Sequence, residues 1–568
     1  MHLHASASEG VGSMRSHLVE AAANGFDVAW FTEHDVLRRA MWRRSSYHFL
    51  PEDVALGGSW RLPALPPFGS LQTGSRGELV FDPTSSHDRA SAKGSLRLTA
   101  VSNDAHVATV GHRIDSESAS RQNLRGRILG RSVLVDILPT LTGPDSWGEV
   151  RVSLSHHPAS STRRAGIVSL LYRFRSDVTD RAVTRSGTTG IVEMPVSNGR
   201  WQTVTLNLSR DVHTVWPDMQ SSDNSLCELE FHAASRRMAP AELFFSFLRF
   251  DEVRFDGVGV EHELIAAYAD EEADVLGLVG TEYSLGPHIN GYGGAQRAYD
   301  YGRADGISRR TGQIRASLVD FIHRHGGLAS INHPFLPSEP WTATTPPEVA
   351  HDLLSIGAGG ADILEVGYGS TAWLPDHFAV WDTMTRNGLF LTDNGVTDDH
   401  SGQKWAARQE GRFYTSAWTS TVTERNLMTA LASGQTFVGH LGSFDGTIDM
   451  TLDDVIPMGA VSVNSATSRA LRIDITDLPV GGGVEVVRGD VDFAGIHDPN
   501  PNTTVVTTLG SRDLAARGEV AIDTTDDCFV RLQVLDGTGR VVVFGQPIWT
   551  FKAVPPTGIP PTRCVRNK

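Results

Sequence analysis

The chain has 568 residues, too many for one hydrophobic core, and about two to four domains is the expectation at that length. Fifty Lys and Arg against 66 Asp and Glu give a net charge of −16, which repels phosphate backbones and argues against a nucleic-acid partner. Cys227, Cys528 and Cys564 lie far apart without CxxC spacing, against a disulfide framework or cysteine-based zinc site, and no run of about 20 apolar residues reads as a membrane span.

The chain opens on MHLHASASEG, where His2 and His4, two apart, place both rings on one face of an extended strand. Residues 12–24 read as an amphipathic helix stopped at Gly25. FDVAWFT reads as a buried strand running into Glu33, His34 and Asp35, which completes a strand–helix–strand unit of the parallel type. Two strand ends thus bring three imidazoles and several carboxylates together, a donor set suited to Zn, Mn or Fe. A first strand with only Met1 ahead of His2 is short, so an N-terminal segment, an export signal included, is expected to precede it. Localisation therefore stays open: cytoplasmic as the residues stand, exported with such a leader.

Residues 1–40 form the first part of a barrel in this reading, and the Gly/Pro/Ser-rich stretch 41–92 an irregular linker. Between 93 and 257, short alternating runs such as RSVLVDI, GEVRVSLSH and WQTVTLNL predict an antiparallel, jelly-roll-like β-sandwich of carbohydrate-binding type, inserted into a loop of the first domain. Helix–strand alternation resumes over 258–435, where VLGLVGTE, LASINHP, ADILEVGYG and LFLTDN are strands separated by helical segments. That order predicts an α/β fold, a parallel or distorted (β/α) barrel split by the sandwich. Strands return over 436–553 as a C-terminal β-sandwich, and the Pro-rich tail 554–568 reads as disordered.

A barrel carries its chemistry at strand C-terminal ends. His2 and His4, His34, Glu282 with His288, His333, and Asp398 with His400 all fall at such ends. One isolated His is more often a core or surface residue than a ligand; five strand ends agreeing favour ligation. HLHASASEG, FTEHD, GTE with His288, INHP and VTDDH resemble, in order, the HxHxxxSDG, TDHD, GxE…H, HP and SDxH motifs of the PHP (polymerase and histidinol phosphatase) superfamily. The layout, with an inserted sandwich and a closing QPIW strand, is most similar to its carbaryl-hydrolase (CehA/McbA) type. The resemblance implies a distorted seven-stranded (β/α) barrel holding two or three divalent ions. It gives His2, His4, Glu282 and Asp398 to the first ion, Glu282 as bridge with His288 and His333 to the second, and Glu9, His34 and His400 to the third. Glu9 stands where the family has Asp or His.

Adjacent divalent ions sharing a carboxylate make hydroxide available near neutral pH, so hydrolysis is the expected chemistry, with Glu282, Asp398 and His34 as its central residues. The superfamily's habit implies a phosphoester; the carbaryl-hydrolase layout implies a small carboxyl or carbamate ester instead. No GxSxG elbow or His-paired Cys motif supports a covalent route. Asp35, Asp399 and Asn332 read as groups orienting the imidazoles, with helix-start capping an equal alternative for the two aspartates. His323, Arg297, Tyr292 and Tyr368 are weaker substrate-contact candidates, more often structural or solvated. A different class stays open, a glycan-binding protein with a structural metal site, in which Trp201 and Trp216 of the sandwich stack on sugar; Trp in a sandwich is more often core.

Overall fold

The computed structural model describes residues 2–8, 10–38, 46–51, 74–87, 94–115, 126–251, 256–301, 312–335, 345–407, 411–516, 518–556 and 558–564. Near the start, Ser13 caps the helix Met14–Ala23 by accepting from the Ser16 amide, and Met14, Leu18 and Ala21 turn inward. The strand Val28–Phe31 then pairs in parallel with Leu276–Val279, Val28 opposite Leu276, so its partner arrives only after the whole inserted module.

A second sheet continues from there in the order Thr281–Tyr283, Ile289–Tyr292, Leu328–Ile331, Ile363–Gly367, Thr392–Gly395. Its first two pairings are antiparallel and its last two parallel. The helices Gly312–Arg324, Pro346–Ser355 and Leu374–Arg386 pack beside it, with Ile314, Leu318, Val349, Leu353, Trp381 and Met384 in its core. This corrects the expected seven-stranded (β/α) barrel. Among the described residues strands far outnumber helices, and those assigned to the barrel divide between a two-stranded sheet and a mixed five-stranded one. The cause is local. Tyr283 and Ile289 are too close for the crossover of a dozen or more residues that a parallel partner needs, so the chain returns antiparallel. INGY, Ile289–Tyr292, is that returning strand and is wholly buried.

The inserted module contains two six-stranded sheets. One includes Ala108–Asp115, Glu228–Ser235, Ser146–His157 and Gly166–Arg175; the other includes Gln202–Asn207, Ser132–Leu141, Ala241–Asp251 and Ser95–Val101. Alternating residues such as Leu96, Val135, Val150, Leu170, Phe231 and Phe245 meet in one core between them. The second sheet also takes in Ser46–His48 and Arg76–Asp82, which corrects the linker reading of 41–92 in part. Arg76–Asp82 buries little, so its composition gave no core signal. Residues 52–73 of the expected linker lie outside the described residues.

Beyond Ser433 the left-handed Gly434 (φ 69°) ends the helix Glu424–Ser433, and an eight-stranded and a four-stranded sheet enclose Ile448, Met450, Leu471, Val486, Leu532 and Val543. A bidentate pair, Arg531 with Asp382 at 2.9 Å through both nitrogens, ties this unit to the helix Leu374–Arg386. The tail is not disordered as expected over 558–564. Cys564 bridges to Val461, and the buried Arg563 donates to the Gly459 carbonyl (2.9 Å) and the Thr392 hydroxyl (2.5 Å). One buried arginine anchors a Pro-rich segment whose composition carries no core signal. No helix of the described residues is long and apolar enough to cross a membrane.

Candidate metal centre

The ligand candidates converge through backbone pairing at the sheet ends. Leu3, between His2 and His4, bridges in parallel to both Phe31 and Asp399, and His34 bridges to Glu282. The His4 amide donates to the Asp399 carbonyl (2.9 Å) and the Thr32 amide to the Leu3 carbonyl (2.9 Å). Segments nearly 400 positions apart are thereby locked side by side. His2 (φ 61°) and Asp398 (φ 47°) are both left-handed, a conformation costing about 1–3 kcal/mol in a non-glycine residue and typical of sites held by their surroundings. Gly10 is needed for closeness: a Cβ there would run into the carbonyl oxygens of His4 and Ala5.

Glu282 is the centre of the cluster. Its carboxylate lies 3.4 Å from His2 Nε2, 3.2 Å from His4 Nε2, 2.8 Å from His34 Nδ1, 3.0 Å from His288 Nδ1 and 3.5 Å from His333 Nε2. Asp398 Oδ1 stands 3.4 Å from His2 Nε2 and 3.3 Å from His4 Nε2, and those two nitrogens are 3.1 Å apart. Three sets of donors fall within 4.8 Å of one another: His2, His4 and Asp398; His2, Glu282 and His333; His4, His34 and Glu282. His400 is farther out, 3.9 Å from Asp398, and its ring lies 4.5 Å from that of His4. Glu9 lies outside the described residues.

These spacings fit a cation. Metal–nitrogen and metal–oxygen bonds of about 2.0–2.2 Å put tetrahedral ligand atoms about 3.3–3.6 Å apart, close to the separations of His2, His4, Glu282 and Asp398. The cluster also has a floor and a mouth. The His2, His4, Glu282 and His333 side chains are at most 3% exposed, whereas His34, Asp398, His288 and His400 reach 15, 17, 18 and 39%.

Electrostatics point the same way. Burial alone would push the Glu282 carboxyl up, but the neighbouring His288, His34 and His2 hold it well below the usual range. Burial likewise opposes ionisation of Asp398, and His2, His4 and His400 overcome it. Burial works against a charged His2, yet Glu365, Asp398 and Glu282 raise its pKa well above the ordinary imidazole value. The His2 ring and the buried carboxylates thus favour each other's charged forms, and cation uptake at these atoms would release protons.

Supporting contacts orient the donors. Glu365 accepts from His2 Nδ1 (2.7 Å) and from the His333 amide (2.7 Å), which directs His2 Nε2 into the cluster. Asn332 donates to Glu282 Oε1 (2.8 Å). Asp399 accepts from the Gly402 amide (2.7 Å) and Trp405 Nε1 (2.8 Å), and Asp35 from the Ser284 amide (3.3 Å). Both aspartates therefore organise loops beside the ligands. Glu33, expected only as one of the strand-end carboxylates, accepts from the Ala5 amide (2.7 Å) and the Ser8 hydroxyl.

Of the substrate-contact candidates, Tyr368 lies at the mouth, its hydroxyl donating to Asp398 Oδ2 (3.1 Å) and its ring 5.3 Å from that of His333. Tyr292 is fully buried and accepts from Asn290 (3.0 Å); His323 pairs with Asp362 (2.7 Å) on the surface; Arg297 is exposed. A cavity of about 550 Å³ lies instead beside Phe26, Trp30, Trp405, Tyr414 and Trp418. No histidine lines that cavity; the groups of histidines with carboxylates lie in the cluster instead.

No family model matches the chain, and no curated protein matches it. Among solved structures, a study of carbohydrate-binding modules of the β-sandwich superfamily matches at 12% identity and TM-score 0.19, over 32% of this chain and 55% of that one. The chain thus spans about half of that module's length. A family 12 xyloglucanase from Bacillus licheniformis matches at 9% identity and TM-score 0.22, over 32% and 88%. An endoglucanase from Rhodothermus marinus matches at 10% identity and TM-score 0.21, over 32% and 96%. At such scores the likeness carries no argument about activity. Of the terms the motif resemblance implies, sandwich and carbohydrate-binding-like have counterparts among these structures, whereas PHP domain, phosphoesterase and TIM-like barrel have none among them, and the divided sheets described above correct the barrel term.

Proposed function

We propose that the chain is a metal-dependent hydrolase of ester bonds, with its reaction centre at the mouth of the histidine–carboxylate cluster. The observation that carries this is the buried Glu282 carboxylate within 3.5 Å of five imidazoles, with Asp398 completing a second anionic corner. His2, His4, Glu282 and Asp398 would hold one divalent ion, and Glu282 would share itself with a neighbour at His333 and His288 or at His34. Bound Zn, Mn or Fe would supply Lewis acidity and lower the pKa of water toward neutrality. Glu365 fixes the His2 tautomer, and the sealed floor excludes water behind the ligands. The Tyr368 hydroxyl, kept protonated by burial and by the Asp398 charge, offers a donor at the open side. The motif resemblance belongs to this proposal and supports the hydrolase class.

The test is turnover of a panel of naphthyl carboxyl, carbamate and phosphate esters before chelation, after it, and after restoring Zn, Mn or Fe. Chelator-sensitive, metal-restored hydrolysis is expected, and the preferred ester names the bond. Metal-independent turnover, or none with any reloaded ion, refutes the proposal.

A second reading, glycan binding by the inserted sandwich, draws on Trp201, half-buried with its ring stacked 5.9 Å from that of His87. Trp216 offers no face, being fully buried in the sandwich core. Retardation in a gel containing soluble xyloglucan, lost in Trp201→Ala, would favour it; unretarded migration would remove it.

A further inference from the structure

We infer that the inserted sandwich is a working part of the metal centre and that its Asp223 is a positioning residue for the loop carrying His2 and His4. This rests on the metal-centre reading above. Asp223 lies between the helix Leu208–Val215 and the strand Glu228–Ser235 of the sandwich, yet its fully buried carboxylate faces the other domain. It accepts from the Ser6 hydroxyl (2.7 Å), the Met14 amide (2.7 Å), the Arg15 amide (3.2 Å) and the Tyr268 hydroxyl (2.9 Å).

Ser6 is two residues beyond His4, and Met14 and Arg15 are the first residues of the following helix. One carboxylate therefore grips both ends of the loop that follows the first ligands. It also sits at a helix N-terminus, where the free amides and helix dipole favour an anion. A second grip from the same module reinforces it. The His156 amide donates to the Val11 carbonyl (2.7 Å), and the Ser13 amide to the His156 carbonyl (2.9 Å). The Val11 and Gly12 amides both donate to the His400 carbonyl (2.7 and 2.9 Å), so the clamped loop abuts a second ligand candidate. Burying a carboxylate is costly, and satisfying three donors of the ligand-bearing segment, Ser6, Met14 and Arg15, together with the Tyr268 hydroxyl accounts for the placement of Asp223.

The test compares Asp223→Asn with Asp211→Asn in the full chain. Asp211 is another buried sandwich carboxylate, but its partners, the Tyr172 hydroxyl (2.9 Å) and Arg181, lie within the module. Zn affinity is measured by competition with a chromophoric chelator, and ligand geometry by the visible spectrum of the Co-loaded protein. Asp223→Asn is expected to weaken Zn binding about 10–100-fold, the range for groups that orient metal ligands, and to alter the Co spectrum. Asp211→Asn is expected to lower the melting temperature with both readouts unchanged. Should Asp223→Asn fail to fold, Ser6→Ala removes the loop contact alone and is expected to weaken Zn binding in the same direction. Unchanged Zn affinity and Co spectrum in the folded variant overturn the inference while the metal centre stands. A wild-type chain that takes up neither Zn nor Co overturns both.

Discussion

Replacing Glu282 by Gln removes one charge from the centre of the cluster while keeping its volume. In two of the three donor sets Glu282 is the only carboxylate, so the substitution leaves those sets with two imidazoles each. Groups that merely orient a ligand are worth 10–100-fold in metal affinity, so losing a direct, shared ligand should cost at least about 100-fold, about 2.8 kcal/mol. The loss is readable as stability. At metal one thousand times the wild-type dissociation constant, binding stabilises the folded wild type by about 4.1 kcal/mol, but the variant, at only about ten times its own constant, by about 1.4 kcal/mol. Thermal melts with and without added Zn, alongside metal analysis of the purified protein, measure that difference directly. Glu282→Gln should lose roughly two thirds of the Zn-induced stabilisation and nearly all metal-dependent ester turnover. An undiminished Zn-induced shift in the variant would mean that Glu282 is not a ligand, and the site as built here would be wrong.

Further outcomes follow from other contacts. His333→Ala should abolish metal-dependent turnover while far-ultraviolet circular dichroism stays wild type; retained turnover removes His333 from the centre. Asp382→Ala strands Arg531, buried beside Phe378 and Trp381, and should cost about 3–5 kcal/mol in denaturant unfolding, whereas the double Asp382→Leu, Arg531→Met change should cost much less. Burial lowers His112 to about 4 and His157 to about 3, so between those values and 6.5 the unfolded chain binds protons that the folded sandwich refuses. Stability from each is full above pH 6.5 and falls by about 1.4 kcal/mol per pH unit on acidification until the folded value is reached. Melts from pH 7.5 to 4.5 should show this slope, and His112→Phe should flatten it; an unchanged slope contradicts the assignment.

Much of the centre was legible because its donors occupy strand ends with recognisable residue types. The His2–Leu3–His4 spacing predicted both rings on one face, and their Nε2 atoms do meet at 3.1 Å, although His2 is left-handed rather than extended. The supporting carboxylates were harder. Glu365 lies inside the ADILEVGYG strand with no histidine beside it to mark it, and Asp223, over two hundred positions away in another module, has no local pattern tying it to Ser6. The barrel expectation failed at Tyr283–Ile289, where a short return, invisible to helix–strand counting, sets an antiparallel pairing. The docked tail escaped notice because a single buried Arg563, not a periodic face, holds it.

The parallel pairing of Val28–Phe31 with Leu276–Val279 has a consequence for biosynthesis. A ribosome adding about 5–20 residues per second needs roughly 12–50 s between the two strands, during which an apolar N-terminal segment lacks its native neighbour on that edge. The sandwich can mature inside that interval, since its sheets are built from chain already emerged. Nascent molecules should therefore display a finished module ahead of any ion-binding capacity, with the opening histidines waiting for the later half of translation.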